Sequence, residues 1–140
     1  MVEDADDYGS RAEDVVVDQL VKSIGALNDS GQQVMHILNR LRDELKVNSN
    51  CCASNVSFGL PNRNGLNAAF LTMAIGAGMT SAITSPLHGE VMAAVMGADV
   101  MMGHDPDCKR WIARYRDPLA EGQSGVREGR RGGRRRAAGG

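Results

Sequence analysis

Short apolar runs and helix-periodic segments alternate along the first hundred residues of this chain. Val15, Val16 and Val17 form a β-branched run that ends at Asp18, and residues 51–58 form a second stretch of small and apolar side chains. Short, continuously apolar runs of this kind predict buried parallel strands. Residues 81–84 are a third, shorter candidate strand, and the segments at 19–30, 46–50 and 59–65 are predicted to be connections.

Helical periodicity fills the intervals between these strands. A helix is predicted to begin at Ser30, because residues 30–33 (Ser-Gly-Gln-Gln) match a capping box. A second helix is expected over residues 66–77, a third over 89–101, and a fourth after Asp105, which precedes a proline. The spacing predicts inward faces at Val34, Ile37, Leu38, Leu41 and Leu45 of the first helix, and at Leu66, Ala69, Phe70, Met73 and Ala74 of the second.

The order of elements predicts the fold class. Strands that alternate with helices favour right-handed βαβ units, and therefore an α/β fold with a parallel sheet. Three strands would leave unpaired sheet edges. The predicted divisions are an acidic leader at 1–14, an α/β domain at 15–118 and a disordered Arg/Gly-rich tail at 119–140.

Charge and cysteine content change this picture little. The net charge of −1 conceals an acidic start and six arginines between residues 127 and 136. The three cysteines have no zinc-ligand spacing, so we expect reduced thiols and no metal site. The acidic start does not match a signal peptide, and no apolar run approaches the ~20 residues that span a bilayer. A cytoplasmic protein that does not enter membranes is therefore expected.

One segment carries a distinctive motif, which a helical run at residues 66–71 continues. The motif is Ser54-Asn55-Val56-Ser57-Phe58-Gly59-Leu60-Pro61-Asn62-Arg63. The segment resembles the methyltetrahydrofolate:corrinoid (cobalamin) methyltransferases, a family of the pterin-binding superfamily that includes dihydropteroate synthase. The resemblance extends from about Val15 to about Trp111. It implies the C-terminal part of a (β/α)8 TIM barrel, which exchanges a methyl group between methyltetrahydrofolate and a corrinoid protein that carries cobalamin in one-carbon metabolism.

The resemblance also implies a site. Asp18 matches the strand-end aspartate that accepts hydrogen bonds from the pterin ring, a role suited to a carboxylate. Asn55 matches the catalytic asparagine near the methyl-bearing nitrogen, where an amide can stabilise developing charge. Ser57 and Arg63 match positions of the folate pocket. We expect Asp18 and Asn55 to extend side by side from the ends of consecutive strands, where barrel enzymes place their active sites.

The chain departs from the family pattern in ways that leave alternatives open. Gln19 replaces a usual proline and Cys52 a usual glycine, and the first half of the barrel has no counterpart. Little or no activity of the chain alone is therefore expected. It could instead be a half-barrel that associates with itself or with a separate N-terminal half. Nucleic-acid binding through the arginine tail is the other alternative, although no aromatics are interleaved for base stacking. His88 is predicted to cap a helix or line the pocket rim.

Overall fold

The computed structural model describes residue 5 and residues 7–116. The predicted tail at 119–140 and most of the first residues of the acidic leader therefore lie outside the described residues. Short 3-10 turns (Ala12–Asp14, Ala53–Ser57 and Pro106–Cys108) and one π-helical turn (Leu41–Leu45) join the regular elements. Those elements are strands β1 (Val16–Asp18) and β2 (Asn48–Asn50), and helices α1 (Ser30–Arg40), α2 (Arg63–Gly76), α3 (Gly89–Met101) and α4 (Lys109–Tyr115).

The strands form a parallel sheet in sequence order. In the pairing of β1 with β2, Val16 lies opposite Asn48 and Asp18 opposite Asn50. A third segment pairs with the other edge of β2: Ile83 N–H donates to the Cys51 carbonyl at 2.8 Å. The third strand predicted at residues 81–84 is thus reduced to an isolated parallel bridge. The result is a mixed α/β fold with a small open sheet, as the alternation of elements predicted.

The second strand lies earlier than predicted. The strand expected at residues 51–58 is wrong, because β2 occupies Asn48–Asn50 and a 3-10 turn follows at Ala53–Ser57. The polar residues of β2 form a strand because their backbone groups pair with those of β1. Ser57 favours the turn because its hydroxyl donates to the Ser54 carbonyl at 3.3 Å, a local bond that competes with strand pairing.

Helix α1 begins where predicted, but not through a capping box. Ser30 Oγ donates to the Lys22 carbonyl at 2.7 Å, and the Gln33 amide pairs instead with the Asp29 carboxylate at 2.7 Å. The predicted inward face is confirmed at Val34, Leu38 and Leu41, whereas Ile37 and Leu45 are each 41% exposed.

Helix α2 begins three residues earlier than predicted, and its predicted inward face is confirmed at Phe70 and Ala74. Asn62 caps it, accepting the Gly65 N–H at 3.4 Å from a left-handed backbone position. Met73 is 61% exposed, so its predicted inward position is wrong, as is that of Ala69. The pattern misled because α2 carries apolar residues nearly all round, which leaves no contrast between faces. The buried residues of α2 are Asn67, Ala68, Phe70, Leu71 and Ala74.

The last two helices follow the prediction more closely. Helix α3 has the predicted bounds, Gly89–Met101. Asp105 caps α4 across the intervening 3-10 turn, because its two carboxylate oxygens accept the N–H groups of Arg110 and Trp111, each at 3.0 Å. Among the described residues, no helix is long and apolar enough to cross a membrane.

The helices cover only one face of the described sheet. Ser49 and Cys51 point towards the core and are almost fully buried. The alternate side chains face the other way, and at that face Val16 is 57% and Ile83 59% exposed. The open face and the carboxyl end of the strands therefore frame the candidate site. The core on the covered face contains Val21, Val34, Leu38, Cys51, Val56, Phe70, Leu71, Ala74 and Val91.

Candidate functional site

Three polar side chains lie in a row across the open sheet face, which we call the polar ladder: Asp18, Asn50 and Ser81. Asn50 Nδ2 donates to Asp18 Oδ1 at 3.1 Å. The Ser81 hydroxyl is shared between the Ser49 carbonyl at 2.9 Å and Asn50 Oδ1 at 3.2 Å. The other oxygen of Asp18 makes no hydrogen bond with the described residues, and the side chain is exposed. The ladder therefore fixes the carboxylate and leaves one oxygen available to a donor from outside.

Asn55 lies at the same end of the sheet, in the 3-10 turn that follows β2. The prediction that it extends from a strand end is wrong in detail, because it belongs to this turn. Its side chain is exposed and makes no hydrogen bond within the described part of the chain. An unpaired, exposed amide next to a strand end is free to meet a ligand.

The loop after β1 is bonded to the turn after β2. Ile24 N–H donates to the Val56 carbonyl at 3.0 Å, and Ser23 Oγ donates to the Phe58 carbonyl at 2.6 Å. These bonds bring the segment that follows Asp18 against the turn that carries Asn55. The two segments thus form one continuous rim at the carboxyl end of the sheet.

Arg63 and Ser57 lie behind this rim. Arg63 Nε donates to Ser57 Oγ at 3.1 Å, and its Nη2 donates to the Ser54 carbonyl at 2.8 Å. The guanidinium carbon also lies 5.9 Å from the centre of the Phe58 ring. Ser57 is fully buried, so the geometry gives it a supporting place inside the turn. Contact of Ser57 or Arg63 with folate stays a prediction.

The residues that depart from the family pattern also border this end of the sheet. Gln19 is 7% exposed, and neither atom of its side-chain amide has a hydrogen-bond partner among the described residues. Cys52 is partly exposed, with Sγ 3.8 Å from Ser54 Oγ. Its neighbour Cys51 faces the core, where burial, followed by the charges of Cys52 and Asp18, raises the pKa of the Cys51 thiol to about 11.

His88 occupies the N-cap position of α3, but its side chain makes no capping bond. No group of three or more His, Cys, Asp or Glu side chains within the described ranges is placed to hold a metal ion.

Asn50 and Ser81 were not predicted as members of the site. Both fall in segments of the sequence that were assigned to a connection or to a marginal strand. The Asn-Ser-Asn order at residues 48–50 offered a signal, since alternation places Asn48 and Asn50 on one face once the segment is treated as a strand.

Comparison with known proteins agrees with the motif. No protein-family model matches the chain. The chain is 28% identical over 119 residues to the methylcorrinoid:tetrahydrofolate methyltransferase of Eubacterium limosum. The match covers 83% of this chain but 43% of that protein, so the chain spans less than half the length of this relative. In sequence, therefore, the chain is similar to an enzyme that is named for methyl transfer between a methylcorrinoid and tetrahydrofolate.

Proposed function

We propose that this chain is a methyltransferase, or the C-terminal part of one, that binds the pterin of methyltetrahydrofolate. It would transfer the methyl group to or from a corrinoid protein in one-carbon metabolism. The observation that carries the proposal is the shared rim, where Asp18 and Asn55 border the carboxyl end of a parallel sheet with unpaired polar atoms. The similarity to the methylcorrinoid:tetrahydrofolate methyltransferase supports the same reaction class.

Each side chain has a role suited to its chemistry. The available oxygen of Asp18 would accept an N–H of the pterin ring, while Asn50 holds the other oxygen. Asn55 is the proposed catalytic residue, whose amide would hydrogen-bond the methyl-bearing N5.

The corrinoid partner would supply the cobalt nucleophile. The methyl group would pass to this nucleophile, the electron pair of the broken carbon–N5 bond would stay on N5, and solvent would supply the proton that N5 takes up. Stabilising N5 as its charge changes would favour the transition state over the bound substrate.

A larger barrel would account for the open sheet face. In a (β/α)8 barrel, consecutive parallel strands are neighbours, helices cover the outside, and the inward face packs against other strands. The described sheet has this order, with helices on one face and exposed Val16 and Ile83 on the other. We therefore propose that residues 15–118 form the C-terminal part of such a barrel.

The direct test is calorimetric titration of the full chain with methyltetrahydrofolate. We expect saturable binding that Asp18→Ala and Asn55→Ala each weaken about tenfold, the loss of one strong hydrogen bond. Asn39→Ala is the matched control, because Asn39 is an exposed asparagine on α1. The titration is repeated with a separately made N-terminal half of the Eubacterium limosum relative. Equal binding by the Asn55 and Asn39 variants, or no binding in either condition, would reject the proposal.

The open face also supports a second candidate, an assembly partner without activity of its own. Val16, Ile83 and the polar ladder would be covered if a second copy or a separate N-terminal half paired with the free sheet edges. Light scattering separates these cases by mass. A monomer that stays monomeric when the N-terminal half is added would exclude this candidate.

A further inference from the structure

Arg63 joins the two ends of the turn that carries Asn55. One edge of its guanidinium bonds the Ser54 carbonyl before Asn55 and the Ser57 hydroxyl after it, and its face covers the Phe58 ring. We propose that Arg63 is a positioning residue, which holds this turn so that the Asn55 amide is presented at the rim. This inference rests on the proposed function. It holds that Arg63 bonds the turn of the protein and does not contact the ligand.

The hydrogen bonds at the two ends of the turn are long. Asn55 N–H reaches the Cys52 carbonyl at 3.3 Å, and Phe58 N–H reaches the Asn55 carbonyl at 3.2 Å. Hydrogen bonds of 3-10 geometry are generally poorer than those of α-helices. The bond from Arg63 to Ser54 is shorter, at 2.8 Å, and its donor is charged. The arginine therefore adds a short, charge-assisted hydrogen bond to a turn whose end bonds are long.

The position of Arg63 on its helix supports the same role. Arg63 is the first residue of α2, where the helix dipole disfavours a positive charge. Its presence there does not stabilise the helix. Further along α2, Phe70 and Leu71 are buried in the core, so the helix gives the guanidinium a rigid base. An arginine at this point gains its stabilisation from the turn it bridges.

The competing role is direct contact with the glutamate carboxylate of the folate. The two roles are separated by two probes, methyltetrahydrofolate and a methyltetrahydropterin that lacks the glutamate tail. If Arg63 positions Asn55, Arg63→Ala weakens binding of both probes about tenfold, the cost of one well-placed hydrogen bond. The double variant with Asn55→Ala then binds no more weakly than Asn55→Ala alone. Weakening confined to the folate, or additive losses, would overturn the proposal.

A ligand-free measurement tests the inference independently. We expect Arg63→Ala to speed amide hydrogen exchange of Phe58 about tenfold, while exchange of the buried Leu71 is unchanged. Arg63→Lys should restore this protection only in part, because an ammonium can bond these acceptors but lacks the planar guanidinium that spans them and lies over the Phe58 ring. Ser57→Ala, which removes one acceptor, should have a smaller effect in the same direction and guards against misfolding of the first variant. Unchanged exchange at Phe58 refutes positioning, whereas failure of the wild-type chain to bind either probe refutes only the proposed function.

Discussion

Replacing Asn50 by Asp tests the polar ladder with almost no change of shape. Asp keeps an oxygen to accept the Ser81 hydroxyl but loses the N–H group that donates to Asp18. A carboxylate then stands where an amide stood, 3.1 Å from Asp18 Oδ1. At that distance two negative charges repel by about 1.3 kcal/mol even with the dielectric constant of water, which suits this exposed face. The lost hydrogen bond adds about 1 kcal/mol, so we expect a loss of about 2 kcal/mol.

The assay is urea unfolding at neutral pH in low salt and in about 1 M salt. Asn50→Leu is the control, because it removes the hydrogen bond to Asp18 without adding charge. It also removes the acceptor near Ser81, whose hydroxyl keeps its bond to the Ser49 carbonyl at 2.9 Å. We expect the Asp variant to be the less stable of the two by about 1 kcal/mol in low salt, and this difference to shrink in high salt through screening. Equal stability of the two variants in low salt, or a difference that salt leaves unchanged, would refute the placement of Asn50 beside Asp18.

Three further predictions concern the fold around the site. Leu38→Ala should lower the unfolding free energy by about 2–5 kcal/mol in urea denaturation, because Leu38 is fully buried. Leu45→Ala, at a half-exposed position, should lower it by less, and equal losses would contradict the packing. In mass-spectrometric alkylation at neutral pH, Cys52 should react before Cys51, whose pKa is raised by burial; equal rates would contradict this. Burial raises the pKa of the Asp105 carboxyl, but the backbone N–H groups that donate to it lower this pKa by more, so the net pKa is below its ordinary value. The charged carboxylate therefore stabilises the fold above the ordinary pKa, and this stability is lost as acid protonates it. Acid should lower the melting temperature less in Asp105→Asn than in the wild type, and an unchanged acid response would refute this cap.

Elements with contrasting faces or clear end signals were predictable from the sequence. The β-branched run before Asp18 predicted β1, and His88 with Gly89 after a proline turn predicted the start of α3. The inward face of α2 was only partly predictable from periodicity. Ala and Met side chains occur on several faces of that helix, and tertiary packing decides which of them are buried. The polar strand β2 was not predicted for a related reason: backbone pairing with β1 makes Asn48–Asn50 a strand, although its side chains do not favour one.

The site divides in the same way. The strand-end position of Asp18 is as predicted, whereas Asn55 lies in a 3-10 turn and its role stays a prediction. Asn50 and Ser81 could not be assigned to the site, because their contacts depend on the register between strands. The support that Arg63 gives the turn depends on where α2 begins, which the Asn62 cap decides. Strand register depends on tertiary packing, which a single sequence indicates only indirectly. The Asn62 cap is a local contact, but it lies in a segment whose composition predicts a loop.

The most direct test of the account is to map methyltetrahydrofolate on the isotopically labelled full chain by NMR. The account predicts saturable shift changes concentrated at the carboxyl end of the sheet, at the amides of Asn50, Asn55 and Phe58. It predicts little change at Asp99 and His104, which lie near the opposite end beside Thr80 and Met79. Changes centred on Asp99 and His104, or no saturable change anywhere, would contradict the claim that Asp18 and Asn55 share one pterin-binding rim.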